Sequence, residues 1–216
     1  MTPSGVCYVL AAMDPGETFT RKKGEGDIVI AADAGLRYAE RIGLSPDFVI
    51  GDFDSLGYIP VGIESIVFPK EKDDTDTMLA VRYGMKSGYK KFVLVGAVGG
   101  RPDHSFANIQ TLSFIAKNGG IGMIDSDGFS MVALGKSVIT FPKESKGNLS
   151  VFSLSEKSVV SISGLKYHAD SIEIGFDFPV GVSNEFVGVE SSIVIRSGMV
   201  IIMSDQPMNF EMIGEI

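Results

Sequence analysis

Apolar residues in the first 120 positions fall into short continuous runs, separated by longer stretches with a three-to-four-residue period. Val6-Cys7-Tyr8-Val9-Leu10-Ala11, Ile28 to Ala32, Phe48 to Ile50 and Phe92 to Val98 read as buried strands, with Ile63 to Phe68 as another. Leu36 to Ile42 fits a short helix closed by Gly43 as its C-terminal cap. Thr75 to Gly88 is a second helix, with Asp74 or Thr75 placed to cap its start. His104 to Asn118 is a third, whose Phe106, Ile109, Leu112 and Ile115 recur at threes and are assigned to the core. Continuous apolar strands alternating with helices are what a sheet covered on both faces requires. The expectation is an N-terminal doubly wound α/β domain.

After residue 130 the period drops to two. Val138 to Phe141, Leu149 to Leu154, Val159 to Ile162, Ser171 to Phe176, Ser192 to Arg196 and Met199 to Met203 are short runs parted by Gly, Pro, Ser and Asn. No amphipathic helix fits between them. This pattern predicts a C-terminal antiparallel β-sandwich domain. The boundary is placed at 125/126, with residues 1–125 as the α/β part and 126–216 as the sandwich. The expected fold class is therefore α/β followed by all-β.

Composition narrows the functional classes. The chain has 216 residues, a formal charge of −8 and a single cysteine, Cys7. A pI near 4.8 argues against non-specific nucleic-acid binding. One cysteine excludes an intramolecular disulfide framework and a Cys-rich zinc site. No apolar run approaches the ~20 residues that span a bilayer, and Met1 to Ser4 lacks a signal-peptide pattern. The expectation is a cytoplasmic protein without membrane partners. Residues 1–120 carry 13 basic and 15 acidic groups, and residues 121–216 carry 6 and 12.

The acids are placed where chemistry could use them. Asp33 follows the second strand, Asp52 and Asp54 follow the third, Asp73, Asp74 and Asp76 precede the second helix, and Asp103 lies after the Phe92–Val98 run. Open α/β sheets bind ligands beyond the carboxyl ends of their strands, and four loops deliver carboxylates there. Mg²⁺ takes hard oxygen ligands and completes its octahedron with water and substrate phosphates. If Asp52-Phe53-Asp54 is extended, both carboxylates point to one side and Phe53 to the other, into the core. Gly96, Gly99 and Gly100 allow close backbone approach to a ligand, and Arg101 offers a fork for phosphate oxygens. Each feature also has a structural reading: Asp74 and Asp103 as helix caps, Gly-Gly as a turn, His104 as a helix-start residue and Cys7 as core. The coincidence of four acidic loops favours a metal–phosphate site. No P-loop, dinucleotide fingerprint, Gly-x-Ser-x-Gly or His-Glu-x-x-His is present. A metal-dependent nucleotide phosphohydrolase or a nucleotide-sensing dimer could use the same acidic edge.

In its motifs the chain resembles the thiamine pyrophosphokinase (thiamine diphosphokinase) family. The matching pieces are Ala32-Asp33-Ala34-Gly35, Gly51-Asp52-Phe53-Asp54-Ser55, Asp74-Thr75-Asp76 and Gly99-Gly100-Arg101-Pro102-Asp103-His104 with Asn108. In the second half, Gly164-Leu165-Lys166-Tyr167 and Ser183-Asn184-Glu185 also match. The resemblance implies transfer of pyrophosphate from ATP to the thiamine hydroxyl, with AMP released. It implies Mg²⁺ as cofactor on Asp52, Asp54 and Asp76, with Asp33 in the same acidic catalytic site. Lys72 and Arg101 would hold phosphates, and Thr75 joins the binding set. Asp103, Ser183 and Asn184 would face thiamine, with Tyr167 and Phe186 as stacking residues. It further implies a homodimer with the active site at the subunit interface and the second domain serving thiamine binding and dimerisation. The sequence departs from the family after the first strand. Many members have a glycine-rich turn there, and this chain reads Ala11-Ala12-Met13-Asp14-Pro15-Gly16.

Overall fold

An apolar strand buried on both sides needs helices above and below it, and the first half of the chain supplies them. The computed structural model describes residues 3–13, 23–71, 73–126 and 128–216. They divide into two units, Met1–Asp127 and Gly128–Ile216.

The first unit contains β1 (Val6–Leu10), β2 (Ile28–Ala32), β3 (Phe48–Gly51), β4 (Glu64–Val67), β5 (Lys91–Val95) and β6 (Ile121–Ser126). Its helices are α1 (Gly35–Arg41), α2 (Asp76–Lys86) and α3 (Pro102–Lys117). Every strand pairing is parallel, in the order β6-β5-β1-β2-β3-β4. Cys7 faces α2, where a Cβ added to Gly84 would lie 2.7 Å from its sulfur. Ala31, of opposite parity through the Leu10↔Ala31 register, packs with Leu36 of α1. The two sides of the sheet thus carry different helices, as its continuous apolar strands require.

The chain runs outward from β1 to β4, then returns to place β5 on the other side of β1. The strand order therefore reverses between β1 and β5, and the loops leaving these two strands flank the switch point. They are tied together: Ala11 donates to the Val95 carbonyl at 2.8 Å and Met13 to the Gly96 carbonyl at 3.1 Å.

Several local expectations change in detail. The Phe92–Val98 run stops as a strand at Val95 because Gly96 turns to φ +64°. α1 is capped as expected, with Gly43 at φ +66° and its N–H on the Glu40 carbonyl. In α3 the buried positions are Asn108, Thr111, Leu112 and Ile115. Phe106 is 56% exposed and so is not core, contrary to the sequence expectation. It lies two residues before Asn108, about 120–180° around the helix from the residues of the buried stripe. β6 was not anticipated from the sequence, nor was the strand that follows it.

The second unit has two antiparallel sheets. One runs β12-β9-β14-β7, built from β7 (Phe129–Leu134), β9 (Asn148–Ser153), β12 (Asn184–Glu185) and β14 (Val200–Ser204). The other runs β11-β10-β13-β8-β15, from β8 (Ser137–Phe141), β10 (Lys157–Ser163), β11 (Ala169–Gly175), β13 (Ser191–Ser197) and β15 (Ile213–Gly214). Alternate residues of β9, β10 and β13 are buried: Leu149 and Val151, Val160 and Ile162, Ile193 and Ile195. In these strands the predicted period of two has its physical origin in a single buried face, whereas β7 and β14 are buried at nearly every position. The architecture is the expected one, an α/β unit followed by a β-sandwich.

Candidate active site

The carboxyl edge of the parallel sheet gathers three carboxylates. Asp33, immediately after β2, and Asp52 and Asp54, after β3, each present an oxygen within 4.8 Å of the others. Asp33 is 6% exposed, and its Oδ1 is buried without a hydrogen-bond partner. An unpaired buried carboxylate oxygen is costly, so the fold must hold it there for a ligand or by geometric constraint. Its backbone is fixed on both sides. The Asp33 N–H donates to the Ile50 carbonyl at 2.8 Å, and its carbonyl accepts from Leu36 at 3.1 Å. The residue sits at φ +44°, a region Asp tolerates better than most side chains. Gly51 makes room for it: a Cβ there would stand 3.0 Å from the Asp33 Cβ.

Asp52 and Asp54 converge by a different route from the extended one expected. Phe53 is left-handed at φ +60°, and the Asp54 N–H donates to Asp52 Oδ1 at 3.1 Å in a side-chain turn. Phe53 does enter the core, packed with Ala31, Leu36, Val49 and Leu56. Burying this ring compensates a backbone conformation that would otherwise be strained by about 1–3 kcal/mol. Asp54 also accepts from Ser55 Oγ at 3.2 Å and from Lys70 Nζ at 2.8 Å. The Lys70 ammonium, before Ser55 and Asp52, holds the Asp54 carboxyl below the usual carboxylate range.

Asp76 is not in this cluster. It is the first residue of α2, where a carboxylate complements the helix dipole. Thr75 caps that helix, its Oγ1 accepting from Met78 N–H at 3.2 Å. Asp74 pairs with Arg82 at 2.9 Å. Lys72 lies outside the described residues, as do residues 14–22 of the segment after β1.

The loop after β5 is shaped by left-handed Gly96, Gly99 and Gly100. A Cβ at Gly96 would overlap the Met13 carbonyl oxygen, so this close crossing requires glycine. Buried Asn108 anchors the loop by donating to the Ala97 carbonyl at 2.7 Å. Ser105 Oγ accepts from Gly99 N–H at 3.0 Å. Arg101 and Asp103 form a forked pair, Nη2 to Oδ2 at 2.6 Å and Nε to Oδ1 at 3.2 Å. This pairing lowers the Asp103 pKa and raises that of Arg101. Both side chains are about two-thirds exposed, at 64% and 67%. His104 is exposed in the first turn of α3.

In the second unit the two C-terminal motifs meet. Asn184 is buried, and its Oδ1 accepts from the N–H groups of Tyr167 at 2.9 Å and Glu185 at 3.0 Å. Its Nδ2 donates to the Tyr167 carbonyl at 2.7 Å. Lys166 pairs with Glu185 at 2.8 Å. Asn184 is thus a clamp between the motifs, a role its sequence position did not reveal. Asn184→Ala leaves the Tyr167 N–H and C=O without these partners. It is expected to cost about 2–3 kcal/mol, read from the urea unfolding midpoint. Ser183, at φ +57°, donates its N–H to Ser150 Oγ at 3.0 Å. Beside it opens a cavity of about 560 Å³, lined by Val151, Val160, Ile162, Tyr167, Val182, Ser183 and Asn184 among others. Tyr167 is 61% exposed. The Phe186 ring instead packs on Phe141, with centroids 5.2 Å apart.

The chain thus joins an open α/β unit, with a carboxylate cluster and a glycine loop at its sheet's carboxyl edge, to a β-sandwich unit. Residues 21–121 match the family model described as "Thiamin pyrophosphokinase, catalytic domain", and residues 136–200 match "Thiamin pyrophosphokinase, vitamin B1 binding domain". The chain belongs to the thiamin pyrophosphokinase family and is a transferase. Thiamine pyrophosphokinase of Bacillus subtilis is 27% identical over 188 residues, covering 83% of this chain and 87% of that protein. The crystal structure of the Bacillus subtilis enzyme shares the fold with a TM-score of 0.79 at 21% identity, over 94% of this chain and 100% of that one. Thiamin pyrophosphokinase from Candida albicans shares it with a TM-score of 0.69 at 15% identity, over 92% and 88%. The reaction is that of the family: ATP and thiamine give AMP and thiamine diphosphate.

Proposed function

We propose that the chain performs this reaction with a magnesium–polyphosphate complex held at the Asp33, Asp52 and Asp54 cluster. The observation that carries the reading is that Asp33, whose Oδ1 is buried and unpartnered, offers a carboxylate oxygen within 4.8 Å of one each from Asp52 and Asp54. Three hard oxygen donors suit Mg²⁺, which completes its shell with water and phosphate, better than softer metals. When bound, the ion supplies charge neutralisation on the phosphates.

The protein's own share is positioning. Attack by the thiamine hydroxyl oxygen on the β-phosphorus breaks the bond to the bridging oxygen of the α-phosphate, so AMP departs. Little covalent chemistry is left to side chains. Arg101 and Lys72 would bind phosphate oxygens, which requires Arg101 to share or leave Asp103. Asp76 and Thr75 stand at the head of α2, on the same sheet edge, and complete the nucleotide side. An aspartate of the cluster accepts the hydroxyl proton. The hydrophobic cavity beside Ser183 and Asn184 suits an organic cation's ring system, with exposed Tyr167 as the aromatic face. Asn184 would act there by holding the Tyr167 backbone, and Asp103 by its negative charge. In this reading residues 1–125 serve ATP and Mg²⁺, and residues 126–216 serve thiamine binding and dimerisation. The active site lies at a homodimer interface in the cytoplasm, where ATP is supplied. Among the described residues no helix is long and apolar enough to cross a membrane.

The test is incubation with ATP, Mg²⁺ and thiamine, with products separated by chromatography. Equimolar AMP and thiamine diphosphate, dependent on thiamine and abolished by EDTA, is the expected result. ADP with thiamine monophosphate would overturn pyrophosphoryl transfer. Nucleotide breakdown independent of thiamine would make the acidic edge that of a phosphohydrolase.

A further inference from the structure

Lys70 contacts the acidic cluster in this structure, and no motif marks it in the sequence. Its Nζ lies 2.8 Å from Asp54 Oδ2, with the lysine side chain 76% exposed and the aspartate 44% exposed. The partners come from different loops, after β4 and after β3. Their meeting is built into the sheet: the Phe68 N–H donates to the Gly51 carbonyl at 2.9 Å, extending the β3–β4 pairing to the point where the acidic turn begins. Pro69 then restricts the backbone before Lys70. The ammonium is therefore delivered to the rim of the site rather than meeting Asp54 by chance of a long side chain.

We propose that Lys70 is an exchangeable counter-ion of the acidic site: it occupies Asp54 while no divalent cation is bound, yields that carboxylate to the cation, and then serves the anionic polyphosphate. This rests on the reading that the cluster binds a divalent cation. Three carboxylates within 4.8 Å repel one another, and an ammonium on the outermost of them relieves part of that repulsion. The relief is partial because a single positive charge on one carboxylate leaves the buried Asp33 oxygen unpartnered. A divalent ion can ligate several of the oxygens at once, so it wins Asp54 despite the competition. The displaced ammonium stays at the same edge, now beside a dense negative charge, and its exposed stem leaves it free to turn there. Lys70 is thus a positioning residue whose effect has opposite signs in the two states.

The test measures Mn²⁺ dissociation constants by calorimetry on the full-length protein without nucleotide. Lys70→Met keeps the stem and removes the charge, and is expected to tighten Mn²⁺ binding about two- to fivefold, the range of an exposed ion pair. Asp54→Asn is expected to weaken Mn²⁺ binding, and in that background Lys70→Met should have almost no further effect. With Mn²⁺ saturating, Lys70→Met should weaken binding of α,β-methylene-ATP, and Lys70→Arg should restore it. Unchanged Mn²⁺ affinity in Lys70→Met, while Asp54→Asn still weakens it, would overturn the Lys70 proposal alone. Equal tightening with and without Asp54 would also overturn it, since a distant field rather than the contact pair would then be responsible. Unchanged analogue affinity would overturn the second half of the exchange. Absence of Mn²⁺ binding by the parent protein would overturn the metal reading, and the Lys70 proposal with it.

Discussion

Asp33→Asn is expected to lower turnover by about 10²-fold or more while leaving the metal-free protein at least as stable as the parent. The two effects have one cause. Asp33 is a buried carboxylate with an unpartnered oxygen, close to two other carboxylates. In the absence of a cation its charge repels Asp52 and Asp54, so the neutral isostere removes a destabilising term. An amide can donate to a neighbouring carboxylate, and Asn tolerates the φ +44° backbone as readily as Asp. If a cation binds there as proposed, the same substitution removes one of its charged ligands. Thermal melts in EDTA and in Mn²⁺ separate these effects. The parent should gain stability from Mn²⁺ by mass action, and Asp33→Asn should gain much less. A large loss of stability in EDTA would instead make the Asp33 charge structural, and would remove it from the metal site.

Gly35→Ala is expected to produce a large loss of stability for a single-methyl addition, about 3 kcal/mol or more. Gly35 begins α1, and a Cβ there would overlap the Leu10 carbonyl oxygen, with the Ala11 carbonyl oxygen 3.2 Å away. Those oxygens belong to β1 and its exit, in the middle of the sheet, and cannot retreat without disturbing pairing on both sides. Moving the helix instead would shift Asp33, two residues earlier, away from Asp52 and Asp54. The variant should therefore lose melting temperature and Mn²⁺ affinity together. Gly43→Ala, at the other end of α1 with nothing within 4 Å of its Cβ, should show only the smaller penalty of its positive φ. Melting both variants with and without Mn²⁺ checks the contrast. Equal losses would mean that close approach to β1 is not what glycine provides at position 35.

Much of this architecture was legible because burial leaves a periodic trace. Strands covered on both faces must be apolar at every position, as in Ile28–Ala32, and strands covered on one face must alternate, as in β10. Helix α3 was legible as a helix, and Leu112 and Ile115 of its apolar stripe are buried as expected, but the rest of its buried face was not legible. The apolar period of three pointed to Phe106, whereas the tertiary packing used Asn108 and Thr111. A polar residue can be buried when it has a fixed partner, as Asn108 has in the Ala97 carbonyl, and no local pattern announces the partner. β6 and β7 were missed for a related reason. Their apolar stretches are short, interrupted by Gly122 in β6 and by Ser130 in β7, and set at the junction between a helical and an alternating period.

The candidate site shows the same division. Asp33, Asp52 and Asp54 stand at strand ends in the sequence, and strand ends of a parallel sheet share one edge whatever the details of packing. Asp76 was grouped with them by motif; the folded chain brings Asp33 to the Asp52–Asp54 turn and places Asp76 at the start of α2. Lys70 could not be distinguished from neighbouring lysines, since an ion pair across two loops depends on where those loops end in space. Asn184 was marked by its motif, but its work as a clamp on Tyr167 depends on a contact 17 residues away.

By itself, then, the sequence determined the class of each half, the edge on which the acids stand and the family to which the motifs point, because these follow from local period and chain order. Only the tertiary structure decided which carboxylates meet, which glycines must lack a side chain and which cation answers the cluster. Those are relations between segments remote in sequence, set by backbone crossings of a few ångströms and by left-handed turns at Asp33 and Phe53. Their energies come from packing the whole sheet, and no stretch of the chain encodes them alone.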